Sequence, residues 1–163
     1  MPKAAVQLGM DINPSAAQVA PLSPVREGDI ILHRDPVEER KDYFIQRDGV
    51  SYAGTHLIVD LWGARHLDDL DHIDLAMRRA VTAAGATLLH IHLHHFTPNQ
   101  GVSGVAVLAE SHISVHTWPE REFAAFDVFM CGDAEPHRAI DILQEAFRPE
   151  RIEVGEYLRG RME

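Results

Sequence analysis

Apolar positions in this chain recur with two different periods, and the changes between them mark out its elements. Leu57-Ile58-Val59-Asp60-Leu61-Trp62 is a short apolar run that reads as a strand. Asp68, Asp69 and Asp71 then supply the acidic groups that suit a helix N-terminus, and Ile73, Ala76, Met77, Ala80, Val81 and Ala84 follow at helical spacing until Gly85. Ala86 to Phe96 alternates, with Leu89, Ile91 and Leu93 on one side and His90, His92 and His94 on the other. After the turn residues Pro98-Asn99-Gln100-Gly101, strands are predicted over Val102–Ala109, Ile113–Thr117 and Phe123–Met130. Pro136 opens a second helix with an Ala139, Ile140, Leu143, Ala146 and Phe147 stripe, and Ile152–Tyr157 reads as a last strand.

Four consecutive strands with short links imply a mainly antiparallel sheet. Two amphipathic helices must each bury one stripe, most simply on the same face of that sheet. The expected class is therefore α+β, a two-layer sandwich whose other sheet face is left for a second subunit. Ahead of it, Pro14, Pro21, Pro24 and Pro36 punctuate a stretch with little periodicity. Residues 1–50 read as a partly disordered extension, in which Ile30-Ile31-Leu32 is a candidate short strand, and 51–163 as the folded domain. Asp48-Gly49 between Tyr43-Phe44-Ile45 and Val50-Ser51-Tyr52 is a hairpin signal.

Composition narrows the partners. Apolar residues make up 45% and charged residues 25% of 163, as in ordinary soluble globules. A formal charge of −10 argues against nucleic acid, whose phosphates it would repel. No apolar run is long enough to span a bilayer, and the N-terminus has no secretory core. Cys131 is the single cysteine, so an internal disulfide is excluded and a cytoplasmic setting is expected.

The chemistry concentrates at Glu110-Ser111-His112, a polar junction between two alternating apolar strands. A solvated hairpin tip is the ordinary reading of such a site. Against it, the tripeptide lacks the Gly, Asn or Pro of a tight turn. Ser103 and His116 lie at similar separations on either side, so antiparallel folding brings them to neighbouring rungs. Cys131 ends the following strand.

Gly101-Val102-Ser103-Gly104-Val105-Ala106-Val107-Leu108-Ala109-Glu110-Ser111-His112-Ile113-Ser114-Val115-His116-Thr117-Trp118-Pro119-Glu120 resembles the signature of bacterial S-adenosylmethionine decarboxylase proenzymes. The likeness continues through Phe126-Asp127-Val128-Phe129-Met130-Cys131-Gly132-Asp133 and reaches back through His90–Phe96 to His56-Leu57, roughly residues 54 to 160. It implies autocatalytic cleavage of a zymogen at Glu110-Ser111, giving a β chain of residues 1–110 and an α chain of 111–163 that begins with a covalent pyruvoyl group made from Ser111. It further implies decarboxylation of S-adenosylmethionine, through a Schiff base with that group, to the aminopropyl donor of polyamine (spermidine) biosynthesis. Ser103 and His116 match processing residues, with His116 the proton carrier. Cys131 matches the proton donor of catalysis. Glu120 matches the acid that meets the ribose, and Phe96 an aromatic placed to stack on adenine. Asp60 is a further candidate for the sulfonium or ammonium side. The resemblance also implies a homo-oligomer, a dimer of processed protomers.

Each of these residues has an ordinary structural role as its alternative: a hydrogen-bonded strand histidine, a small buried thiol, a core phenylalanine. Three other readings compete, one of them a non-catalytic relative acting as a subunit or regulator. The same pyruvoyl chemistry could act on arginine or ornithine. A metal protein could use His90, His92 and His94, with His95 or His112, although no metal is expected in the favoured reading.

Overall fold

In the computed structural model, residues 43–96 and 100–162 are described, and all of them fall within one compact unit spanning Lys41–Glu163. The candidate strand at Ile30–Leu32 and the extension before residue 43 lie outside the described residues.

A small hairpin comes first, β1 (Ile45–Arg47) paired with β2 (Val50–Tyr52). Asp48 (φ 51°) and Gly49 (φ 78°) form its two-residue turn, the left-handed pair that matches the twist of a hairpin. The first strand thus begins at Ile45, two residues later than the pattern implied, because a two-residue loop pairs Arg47 directly with Val50. The main domain follows as β3 (Gly54–Trp62), α1 (Leu70–Ala83), β4 (Leu88–His95), β5 (Val102–Leu108), β6 (Ser111–Trp118), β7 (Phe123–Met130), α2 (His137–Phe147) and β8 (Arg151–Arg159). The last six strands named make one antiparallel sheet in the order β4-β5-β6-β7-β3-β8.

Both helices pack on one face of that sheet. Asp69 caps α1 by accepting from the His72 amide at 3.0 Å. At the other end, Gly85 takes φ 72° and the Gly85 and Ala86 amides bond back to Thr82 and Val81 carbonyls, a Schellman closure. The predicted α1 stripe is buried in full. On α2, Ala139, Leu143, Ala146 and Phe147 are buried while Ile140 packs at the margin. They meet Leu57, Val59 and Leu61 of β3, Ile113 and Val115 of β6, and Phe126 and Val128 of β7. The two-layer α+β sandwich is therefore what the chain forms.

One expected position is overturned. Leu89 does not join Ile91 and Leu93 on the core side but is 63% exposed. A β-bulge between Leu88 and His90 spends two residues of β4 against one step of β5, so Leu88 takes the inward place. Beyond the bulge the alternation holds, and His90, His92 and His94 lie on the open face.

Thr117 ties the sheet to the loop before α1. Its buried hydroxyl donates to the Leu67 carbonyl at 2.6 Å and accepts from the Val102 amide at 2.7 Å. Gly101 makes this possible, since a Cβ there would overlap the Thr117 carbonyl. Thr117→Val keeps the volume but orphans both backbone groups. It is expected to lower stability by about 2 kcal/mol, read as a drop in urea midpoint with an unchanged slope.

Candidate active site

The β5–β6 hairpin turns at Ala109-Glu110, with Leu108 and Ser111 as its last paired residues. Glu110 has φ 63°, a left-handed conformation that an L-residue with a Cβ holds at a cost of about 1 kcal/mol. A turn is thus built from residues that do not favour it, and the strain falls on the residue whose carbonyl precedes Ser111. Ser111 already belongs to β6, two residues earlier than the pattern suggested. It is only 9% exposed, and its Oγ accepts from the Cys131 amide at 3.1 Å. β7 runs beside β6 and ends at Met130, which delivers Cys131 to this spot.

Burial pushes the Cys131 thiol above its ordinary range, and the nearby Glu110 carboxylate adds to the rise. The protonated thiol is therefore held through neutral pH, the form a proton donor needs. Glu110, Ser111 and Cys131 share a cavity of about 600 Å³ with Tyr43, Arg47, Asp133 and Glu135.

The second group of candidates stands at the opposite end of the hairpin. Ser103 and His116 are directly paired across β5 and β6, and Ser103 Oγ lies 2.9 Å from His116 Nδ1. With Phe96, Gly101, Trp118 and Glu120 they line a cavity of about 540 Å³. Glu120 sits in a single 3-10 turn, Pro119–Arg121, that closes β6. Phe96 and Trp118 are both exposed, so Phe96 is no core residue. Asp60 is on the open face, paired with Ala125 and Glu153, and lines neither cavity. Five residues of extended strand separate Ser111 from His116, about 17 Å. A single chain thus brings Ser111 to Cys131, and Ser103 to His116, but not the two pairs together.

Between the two ends the open face carries a network that the pattern analysis did not assemble. Arg159, which has only donors, donates to His56 Nδ1 at 3.0 Å. His56 Nε2 faces Asp127 Oδ1 at 3.4 Å, buried and without a full hydrogen bond, while Ser114 donates to Asp127 at 2.9 Å. His112 sits 6.3 Å from His56, and burial, then the neighbouring His56, lower its pKa. Its members come from four strands, and the one signal was polar residues at alternate positions within otherwise apolar runs. Among the described residues, no group of three or more His, Cys, Asp or Glu is placed to hold a metal ion.

An antiparallel sheet backed by two helices on one face defines a class, the two-layer α+β proteins, here with a serine buried behind a strained turn residue and a thiol beside it. Comparison with known proteins makes this specific. The family model described as S-adenosylmethionine decarboxylase matches residues 55–160. An S-adenosylmethionine decarboxylase proenzyme of Thermomicrobium roseum is 49% identical over 108 residues, 66% of this chain and 93% of the relative. One from Methanococcus maripaludis is 50% identical over 113 residues, 68% of this chain and 92% of the relative. The crystal structure of the adenosylmethionine decarboxylase from Aquifex aeolicus superposes with a TM-score of 0.62 at 36% identity, covering 69% of this chain and 94% of that one. The chain belongs to the S-adenosylmethionine decarboxylase family.

The placement of Glu110 against Cys131 has a measurable consequence. In a Ser111→Ala chain, iodoacetamide is expected to label Cys131 slowly at pH 8. Adding Glu110→Gln removes the anion that raises the thiol pKa, so labelling followed by mass spectrometry is expected to accelerate.

Proposed function

We propose that this chain is a proenzyme that cuts its own backbone between Glu110 and Ser111 and then decarboxylates S-adenosylmethionine. The observation that carries this reading is the strained Glu110 turn joined to a buried Ser111 whose Oγ is held by the Cys131 amide. Ser111 Oγ attacks the Glu110 carbonyl carbon, and the peptide C–N bond gives way to an ester. A base then takes the Ser111 α-proton and the Cβ–Oγ bond breaks. Glu110 leaves as a carboxylate carrying its own carbonyl oxygen and the serine oxygen. Hydrolysis of the dehydroalanine left behind releases ammonia and makes the pyruvoyl group. The residues at the junction fit such a group: it would lie where Ser111 lies, next to a protonated thiol. When formed, it supplies an electron sink for the loss of CO₂. Cys131 returns a proton to the substrate α-carbon. Phe96 and Trp118 offer aromatic faces to a purine and a sulfonium, and Glu120 accepts from ribose hydroxyls. The product is an aminopropyl donor for polyamine synthesis, and a single cysteine suits a reducing, cytoplasmic setting.

The separation of the two pairs supports a homodimer. His116 is the proton carrier that Ser111 needs, yet about 17 Å of rigid strand keeps them apart in one chain. Two copies stacked through their open sheet faces, related by a twofold axis, set the Ser111–Cys131 end of each against the Ser103–His116 end of the other. The open face is suited to this: Ile58, Trp62, Val107, Trp118 and Tyr157 are all exposed on it.

Intact-mass spectrometry of the purified chain is expected to give two species, residues 1–110 and a blocked 111–163, and of Ser111→Ala only one. An uncut, unmodified wild-type chain that is fully active would overturn the proposal. The processed protein is expected to release CO₂ from S-adenosylmethionine and not from arginine or ornithine.

A separate experiment addresses the dimer. Ser111→Ala and His116→Ala chains are each expected to stay intact alone. Co-expressed, the His116→Ala chain is expected to be cut, because its Ser111 faces a partner that retains the histidine. No cleavage in the mixed dimer would show that each site is complete within one chain.

A further inference from the structure

One rung of the sheet, on its open face, is a row of rings. Trp62 on β3 pairs directly with Phe123 on β7, and Phe123 with Trp118 on β6. The rings follow the register: Trp62 and Phe123 lie 4.3 Å apart between centroids, and Phe123 and Trp118 stack at 5.3 Å with their planes 29° apart. On the outer side Arg151, paired with Trp62 across β8, sets its guanidinium 5.0 Å from an indole ring centroid as a cation–π cap, and Glu153 holds that guanidinium in turn. Past Trp118 the row stops. β5 begins at Val102, and the cavity of Phe96, Ser103, His116 and Glu120 opens beside that last ring.

Arg151, Trp62 and Phe123 line neither of the two cavities described above, so none of them meets a reacting group. Their effect reaches the site through Trp118. An indole that is 40% exposed at the edge of a cavity is ordinarily free to change rotamer, and a flat ligand that lies on it must first stop that motion. Phe123 removes the freedom beforehand by stacking on Trp118, and Trp62 with its cationic cap holds Phe123 in place. We propose that Phe123, backed by Trp62 and Arg151, fixes the plane of the Trp118 indole and so sets how tightly the site takes the purine of its substrate. This rests on the reading above that Trp118 faces that purine. Phe123 is a positioning residue. The purine is held alike before and during the reaction, so the row governs binding and leaves the rate of the bound complex alone.

The test compares wild type, Phe123→Leu, Phe123→Tyr and Trp118→Leu as full-length proteins, each checked for cutting by intact mass and for oligomeric state by sedimentation. Leucine keeps an apolar side chain without a ring, whereas tyrosine keeps the ring. Phe123→Leu is expected to raise KM for S-adenosylmethionine about three- to tenfold with kcat unchanged, the loss of one ring–ring contact. Phe123→Tyr is expected to stay within twofold of wild type. The competitive inhibition constant of methylthioadenosine, which carries the purine but no amino acid, is expected to rise in Phe123→Leu by the same factor as KM. A KM within twofold of wild type in Phe123→Leu overturns the inference, as does a fall in kcat alone or an equal rise in Phe123→Tyr. A rise in KM that comes with a changed oligomeric state also overturns it, by assigning the row to an interface. If Phe123→Leu is not cut, Trp62→Leu decides, one ring further from the cavity: a smaller rise in KM is expected, and an unchanged KM overturns the inference. An unchanged KM in Trp118→Leu defeats the reading of Trp118 and this inference with it, whereas a raised KM there beside an unaffected Phe123→Leu defeats only the inference. Wild-type protein that is never cut defeats the processing reading and the inference together.

Discussion

A β-strand cannot bend back on itself, and the β5–β6 hairpin makes that constraint the organising fact of this protein. Its register pairs Ser103 with His116 at one end and Leu108 with Ser111 at the other, with four rungs between them. Ladder hydrogen bonds and a buried inner face of Val102, Ala106, Leu108, Ile113 and Val115 hold that register, because a slip of one residue would turn every apolar side chain outward. The two ends of the hairpin are therefore held a fixed distance apart. Within one chain the serine has its thiol, the histidine has its hydroxyl, and neither pair can approach the other.

The helices and the sheet play unequal parts in meeting that constraint. α1 and α2 seal one face with aliphatic and aromatic side chains and place no candidate residue. The opposite face carries nearly all the polar chemistry: His56, Asp127, Ser114, His112, Ser103 and His116 occupy alternate positions on adjacent strands. The strand period of two thus separates stability from reactivity residue by residue. Ser111 is the exception, an inward-facing residue at the sheet's margin, and its burial shields the hydroxyl from bulk water while the Cys131 amide orients it.

Much of this was legible from the residues in order. Both helical stripes, the Asp48-Gly49 turn and the succession of strands follow from local spacing, which the tertiary structure had no reason to override. The pairing of Ser103 with His116 was also accessible, since antiparallel folding about Glu110-Ser111 leaves few registers. The misplaced Leu89 shows where such reading fails: a bulge adds one residue without any change in composition. The left-handed Glu110 was hidden for a related reason, because a tight turn made from Ala and Glu breaks the preferences that make turns recognisable. The Arg159–His56–Asp127–Ser114 network joins residues up to 103 apart in the chain, and only the strand order brings them together.

The bulge at Leu88–His90 has an effect beyond moving one leucine. β4 is an outer strand of the sheet, and a straight outer strand offers its unpaired amides and carbonyls to any passing chain. Here the added residue kinks that border and interrupts its regular spacing, so a newcomer finds no even row to zip onto. Growth sideways into a fibre is discouraged at that rim.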